Sequence, residues 1–145
     1  MHTLAQAFRG RGLVSAKPEE DVLKVARRMC DAGVGAIVVL DGEALVGIFS
    51  ERDLMTRVVV AHRDPAGTPV SAVMTRDVCT AEIDDKVDVC EEKMRRAGCR
   101  HLPVLVQGRV IGMISMRDLL RDELEEERHE VRELRAYLHQ SPLDL

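Results

Sequence analysis

The sequence has no tryptophan, one tyrosine and two phenylalanines among 145 residues. With only Phe8, Phe49 and Tyr137 as aromatics, it offers no platform on which successive nucleic-acid bases could stack. Nor does one sign of charge dominate. The formal net charge is -4, which argues against a nucleic-acid polymer as partner. The longest apolar run, Val34 to Leu40, is far shorter than a membrane span, so no membrane partner is expected. No secretory signal is expected at Met1 to Pro18, where the apolar stretch is short and carries Arg9 and Arg11. Cys30, Cys79, Cys90 and Cys99 form no C-x-x-C pair, and the expectation is a cytoplasmic chain whose thiols stay reduced. Gly-rich Walker and dinucleotide loops are missing. No Ser-His-Asp or paired-carboxylate constellation stands out, so an enzyme is not expected.

What the chain does have is an internal repeat. Leu13 to Leu54 recurs without a gap at Val78 to Leu119, offset by 65 positions, with 12 of 42 positions identical. The matches include Met29/Met94, Ala32-Gly33/Ala97-Gly98, Val39-Leu40/Val104-Leu105 and Gly47/Gly112, and are densest in Ser50-Glu51-Arg52-Asp53-Leu54 against Ser115-Met116-Arg117-Asp118-Leu119. A repeat of this size fixes the architecture. Each half is about the size at which a lone core is marginal. Two pseudo-twofold related motifs sharing one core, with two equivalent clefts, are therefore expected.

Each copy reads as strand-helix-strand-strand-helix, an α/β (α+β) unit. In the first, Val14 to Ala16 is a strand, and Pro18 to Asp21 opens a helix with apolar residues at Val22, Val25, Ala26 and Met29. Gly33 caps it. Ala36 to Leu40 and Leu45 to Phe49 form a hairpin around Asp41-Gly42, with Glu43 and Ala44 able to lengthen the loop, and a helix runs from Ser50 through Val60. The second copy repeats this with a strand near Val78 to Ala81, a helix Asp85 to Ala97, and strands His101 to Val106 and Val110 to Ile114 about Gln107-Gly108. Between them His62 to Pro69 reads as a linker, followed by one helical turn at Val70 to Met74. The expected divisions are 1–61, 62–75, 76–121 and 122–145. The last helix continues from Asp122 to about Leu138, with Leu120, Leu124, Val131, Leu134 and Leu138 as a thin stripe broken by Glu127. That stripe fits either a solvated helix or a helix that meets its partner in a homodimer.

Ser50-x-x-Asp53 and Ser115-x-x-Asp118 each follow a strand and begin a helix. One reading is a capping box, in which Ser accepts a backbone N–H and Asp reaches back. It leaves Arg52 and Arg117 unexplained, because a cation in the first turn opposes the helix dipole at up to about 1 kcal/mol. An anion at the helix N-terminus removes that conflict. Asp would then be available for two ribose hydroxyls, and both roles can coexist. Cys99-x-His101 suggests a thiol or metal site, but provides two ligands where structural zinc normally takes four.

Gly-hydrophobic-hydrophobic-Ser-x-x-Asp closes each copy, Arg100-His101-Leu102-Pro103-Val104 precedes the second hairpin, and Val73-Met74-Thr75 bridges the copies. Together these resemble a tandem CBS-domain protein, a Bateman module, over about residues 4 to 120; the last helix resembles the tail of small stand-alone bacterial members. The resemblance implies clefts that bind AMP, ADP or ATP, or alternatively NAD or S-adenosylmethionine, as an energy or metabolite sensor with no obligatory cofactor. It implies that Asp53 and Asp118 hold the ribose, Ser50 and Ser115 sit near the phosphate, and Ile48 and Met113 flank the base. Arg52 and Arg117 would serve the phosphate. Val34 and Gly35 would face the Asp118 motif, and Cys99, Arg100 and His101 the Asp53 motif, giving the Asp53 cleft more cationic groups. A homodimer is implied as well. The alternatives are a dimerisation module with empty clefts and a thiol or metal sensor using Cys99 and His101.

Overall fold

Asp21 starts the first long helix: its carboxylate accepts the Lys24 N–H at 2.9 Å. A computed structural model of the chain describes residues 3–8 and 12–139. Arg9, Arg11 and the tail at 140–145 lie outside the described residues. The elements are α1 (Leu4–Ala7), β1 (Ser15–Ala16), α2 (Val22–Ala32), β2 (Ala36–Asp41), β3 (Ala44–Ser50), α3 (Glu51–Asp53), β4 (Ala81–Glu82), α4 (Val87–Ala97), β5 (His101–Val106), β6 (Arg109–Ser115) and α5 (Met116–His139). The fold is mixed α+β. Each copy builds a three-stranded sheet, β1-β2-β3 or β4-β5-β6, with a parallel first pair and an antiparallel second pair. Both hairpins slip register at the same place, Val39/Leu40 and Val104/Leu105, so the extra residues Val46 and Ile111 form matching bulges. Gly33 and Gly98 end α2 and α4 at φ 67 and 66, in the left-handed region where a Cβ is costly.

Four expectations change in detail. The first hairpin turns on Gly42-Glu43, because Asp41 pairs with Ala44 and the positive φ falls on Gly42. The first strands are two residues long, and Val14 and Val78 stay outside them. The helix expected from Ser50 through Val60 is α3 for one turn and then a π-helical stretch, Leu54–Val59. The single shared core is instead two clusters of buried side chains, one per copy. Strand side chains alternate between faces, so Ile37, Val39 and Phe49 meet Val22, Val25 and Met29 of α2. Leu102, Val104 and Ile114 meet Val87, Cys90 and Met94 of α4 in the same way.

The copies are joined by exchanged segments. Thr3 to Phe8, which precedes the first copy, runs along the second: Leu4 N–H donates to Asp85 O at 2.9 Å and Ala5 N–H to Ile83 O at 3.0 Å. Thr68 to Val73, which precedes the second copy, runs along the first: Val70 N–H donates to Glu20 O at 2.8 Å and Ser71 N–H to Pro18 O at 3.1 Å. Glu20 and Asp85, like Pro18 and Ile83, are repeat equivalents. Leu4 and Ala7 accordingly enter the second cluster, and Val70, Val73 and Met74 the first. The sequence does not single out α1; within Thr3 to Phe8 only Thr3/Thr68 and Ala7/Ala72 match at the repeat offset.

A clamp also recurs. Arg28 donates to both Glu20 carboxylate oxygens, at 2.9 and 2.6 Å, and to Ser15 O at 2.9 Å. Lys93 donates to Asp85 Oδ2 and to Thr80 O, both at 3.1 Å. The hydrogen bond from Arg28 holds the Glu20 carboxyl down at about 2. Each clamp ties a long helix to the strand segment before it.

α5 packs its first turns on α1, α4 and β6, and from Glu125 to His139 every residue is exposed. Where it meets α4, Glu91 hydrogen-bonds Glu123, and this, with burial, raises the Glu91 carboxyl to about 7. Its Oε1 is buried without a partner. A carboxyl raised in the folded state binds protons that the unfolded chain has released. Its contribution is therefore present below the ordinary carboxylate pKa and lost as pH rises through about 7. Glu91→Gln is expected to raise the melting temperature at pH 8 and to change it little at pH 5. Equal shifts at the two pH values would contradict this coupling.

Candidate functional site

Ser50 and Asp53 form a complete capping box: Asp53 N–H donates to Ser50 Oγ at 3.2 Å and Ser50 N–H to Asp53 Oδ2 at 3.1 Å. Ser115 and Asp118 repeat it at 3.1 and 3.0 Å. Both serines and both aspartates therefore have a structural role at the two helix starts. Arg52 and Arg117 are exposed on the first turns, where a helix N-terminus favours an anion.

Around Asp53 the structure adds groups that sequence reasoning missed. Asp53 is 6% exposed. Thr75 Oγ1 donates to its two oxygens at 3.2 and 3.3 Å, and Arg57 Nε lies 3.7 Å from Oδ1. Arg57 also donates to Met74 O at 2.8 Å. Thr75 is held there by two backbone hydrogen bonds to Ile48, at 2.9 and 2.8 Å. This close crossing explains Gly47, since a Cβ there would collide with Met74. Thr75 was visible in the bridging Val73-Met74-Thr75, but pairing with β3 is a tertiary contact without a local signature.

A second group sits between the copies. Glu51 N–H donates to Gly35 O at 2.9 Å, and its repeat equivalent Met116 N–H donates to Arg100 O at 2.8 Å. A Cβ at position 35 would collide with the Glu51 carboxylate and lie 3.5 Å from His101 Nε2, so Gly35, Glu51 and His101 converge. Burial lowers the His101 pKa; Glu51 and Asp118 act against this and Arg100 with it. The imidazole is therefore neutral at neutral pH. Arg100 itself is exposed, and the cation at Asp53 is Arg57. The repeat equivalents of Glu51 and His101 are Met116 and Ala36, so the two clefts differ chemically. The repeat does not single out Glu51, because its equivalent is Met116.

On the other side, Met113 and Asp118 line a pocket with Ala7, Phe8, Ile114, Arg121 and Asp122. The exchanged N-terminal segment thus borders the Asp118 motif as Thr75 borders the Asp53 motif. Val34 and Cys99 lean on their own clusters, and each donates its N–H to the helix before it, to Met29 O and Met94 O at 3.1 Å. Burial raises the Cys99 thiol, opposite to the direction that makes a thiol reactive. Among the described residues no group of three or more His, Cys, Asp or Glu could hold a metal ion.

Two β-α-β-β-α copies, exchanged lead segments and paired capping boxes at facing clefts meet a family model described as CBS domain, which matches residues 9–60 and 70–125. The chain belongs to the CBS-domain family. Among relatives, this CBS pair is 32% identical to the mitochondrial CBS domain-containing protein CBSX3 of Arabidopsis thaliana over 125 residues, covering 83% of this chain and 61% of that one. It spans less than two thirds of the first curated relatives it matches. A solved protein with CBS domains from Burkholderia ambifaria is 34% identical with a TM-score of 0.81, over 85% of this chain and 94% of that one. The CBS domain protein PAE2072 from Pyrobaculum aerophilum, solved complexed with AMP, is 29% identical with a TM-score of 0.72, over 80% and 88%. No helix among the described residues of this CBS pair is long and apolar enough to cross a membrane.

Proposed function

We propose that this CBS pair is a regulatory module that binds an adenosine nucleotide at the Ser50–Asp53 and Ser115–Asp118 helix starts and senses it without turnover. The observation that carries the reading is the duplicated helix start. Each presents a capping Ser, a carboxylate and an exposed Arg, a set that suits a phosphate and a ribose together. The AMP complex of PAE2072 supports the ligand class. Ile48 and Met113 are half-buried beside the two motifs and offer aliphatic faces to a base. The same reading makes the protein a cytoplasmic homodimer with reduced thiols. Exposed Met55 and Val59 recur as exposed Leu120 and Leu124 at the repeat offset, so each copy presents the same apolar pair for a second molecule to cover.

A thermal-shift screen with AMP, ADP, ATP, NAD and S-adenosylmethionine tests the ligand. At 100 times its dissociation constant, a bound nucleotide stabilises the fold by about 2.7 kcal/mol. Unchanged melting with all five at millimolar concentration would overturn nucleotide binding and leave a dimerisation module. Zinc is run beside the nucleotides, and a shift with zinc alone would favour the Cys99–His101 reading. Steady nucleotide hydrolysis by pure protein would refute sensing without turnover.

A further inference from the structure

α5 carries a second pattern that the clefts do not use. Its apolar residues fall on heptad positions a (Leu124, Val131, Leu138) and d (Leu120, Leu134), with Glu127 at the remaining d position. Leu120, Leu124, Val131, Leu134 and Leu138 are all exposed, between 48% and 59%. The flanks are sorted by sign. Every e position is arginine (Arg121, Arg128, Arg135), and the g positions are Glu123, Glu130 and Tyr137. In a parallel pair of helices a g residue meets the e residue five positions later on the other chain, whereas antiparallel pairing brings e to e and g to g. Here the parallel arrangement sets exposed Glu130 against Arg135 of the partner subunit, and Glu123, which also meets Glu91 of its own body, against Arg128 of the partner subunit. The antiparallel one sets arginine against arginine and glutamate against glutamate.

We propose that α5 pairs in parallel with α5 of a second copy of this chain, its seam running from Leu120 to Leu138 along the molecular twofold. This rests on the homodimer reading above and gives it an axis. The seam has fewer than three heptads and two glutamates facing each other at position 127, so it is weak alone. It adds to the association of the CBS bodies because they hold the helices at high effective concentration. Glu127 fixes the register at a cost in affinity, as single polar seam residues do.

The test uses the full chain in a Cys30→Ser background, since Cys30 is the exposed native thiol. Leu120→Cys, Leu138→Cys and, at an outward f position, Ala136→Cys are oxidised mildly, singly and as mixtures, with light scattering on the same samples. The expected result is that Leu138→Cys and Leu120→Cys each cross-link to themselves at least tenfold faster than Ala136→Cys, and not to each other. Leu120-to-Leu138 cross-links would overturn the parallel arrangement. A dimer mass with Leu138→Cys no faster than Ala136→Cys would overturn the helix pairing and leave the homodimer standing. A monomer mass would remove both. Glu127→Leu is expected to lower the dimer dissociation constant at least tenfold. Arg135→Glu is expected to raise it, and Glu130→Arg with Arg135→Glu to restore it; no restoration would speak against the charge pairing.

Discussion

Leu4→Ala is expected to cost about 3 kcal/mol of stability, although the residue lies almost at the chain start. Residues there are ordinarily poorly ordered and tolerant of change. Leu4, however, is fully buried and belongs to the second cluster with Cys90, Met94, Leu102 and Leu119. Truncating a buried leucine loses its transfer free energy and leaves a cavity, about 2–5 kcal/mol in well-packed cores. At roughly 2–4 °C per kcal/mol for a chain of this size, the melting temperature falls by about 6–12 °C. Leu13→Ala is the control, since Leu13 is 39% exposed and should cost under about 1 kcal/mol. Removing residues 1–8 should be worse, because the hydrogen bonds to Asp85 O and Ile83 O go too. Urea unfolding of the variants reads the effect directly. If Leu4→Ala unfolds with the wild-type midpoint, the lead segment does not complete the second copy.

The repeat made most of the local structure legible. Residues facing a helix in one copy do so in the other, so Val22/Val87 and Met29/Met94 mark the helix faces that are buried. Gly33 and Gly98 announced the caps, and Gln107-Gly108 the second turn, with φ 50 and 79. Local chemistry also announced both capping boxes. What stayed hidden depends on contacts between distant segments. α1 and Val70 to Met74 gain their burial from the opposite copy, and four-residue periodicity cannot show which surface they will meet. The π-helical stretch Leu54–Val59 has no period of its own in so short a run. Asp41 read as a turn residue because Asp-Gly favours hairpin turns, but the bulge at Val46 shifts the register and carries Asp41 into the ladder.

The same limit applied to the site. The capping residues were readable because their partners lie three positions away. Thr75 was not, because it is 22 positions from Asp53; Arg57 lies only four positions after Asp53, a helical spacing that does pair side chains, but the Val73 and Met74 carbonyls that hold it are 16 and 17 positions on. The repeat equivalent of Arg57 is Asp122, and that of Thr75, in the lead segment, is Gly10. An arginine beside one cleft aspartate is therefore replaced by a carboxylate near the other, which the aligned Ser-x-x-Asp motifs give no reason to expect.

That difference separates the effects of removing the two aspartates. Asp53→Ala is expected to act on the fold. It leaves the Ser50 N–H and the Thr75 hydroxyl without their acceptor and removes the anion beside Arg57, in a nearly closed site. Hydrogen bonds to charged groups contribute about 1.5–3 kcal/mol each, less where solvent reaches them, so a loss of about 2–3 kcal/mol is expected. Asp118→Ala removes the same cap contact with Ser115, about 1 kcal/mol, from a more open site, and its main expected effect is on the ligand. Asp118 is half-buried and lines the pocket with Met113 and Phe8. A ribose reaching Asp53 must displace Thr75 and Arg57 around a carboxylate that is nearly closed to solvent, whereas Asp118 is half-buried and lines an open pocket, so nucleotide is expected to enter the Asp118 cleft first. Arg121 and Asp122 both line that pocket and offset each other in charge, so the test there uses AMP, the ligand of the solved relative PAE2072. Calorimetry is expected to show AMP affinity falling at least tenfold in Asp118→Ala, about 1.4 kcal/mol, and surviving in Asp53→Ala below its melting temperature. Thr75→Val should free Oδ1 of Asp53 from the hydroxyl, leaving the caps intact and giving ATP a second, salt-sensitive binding step at the Asp53 cleft. AMP affinity lost in Asp53→Ala and kept in Asp118→Ala would reverse the order of the clefts. It would mean that ligand displaces Arg57 and Thr75 at a smaller cost than their contacts with Asp53 imply.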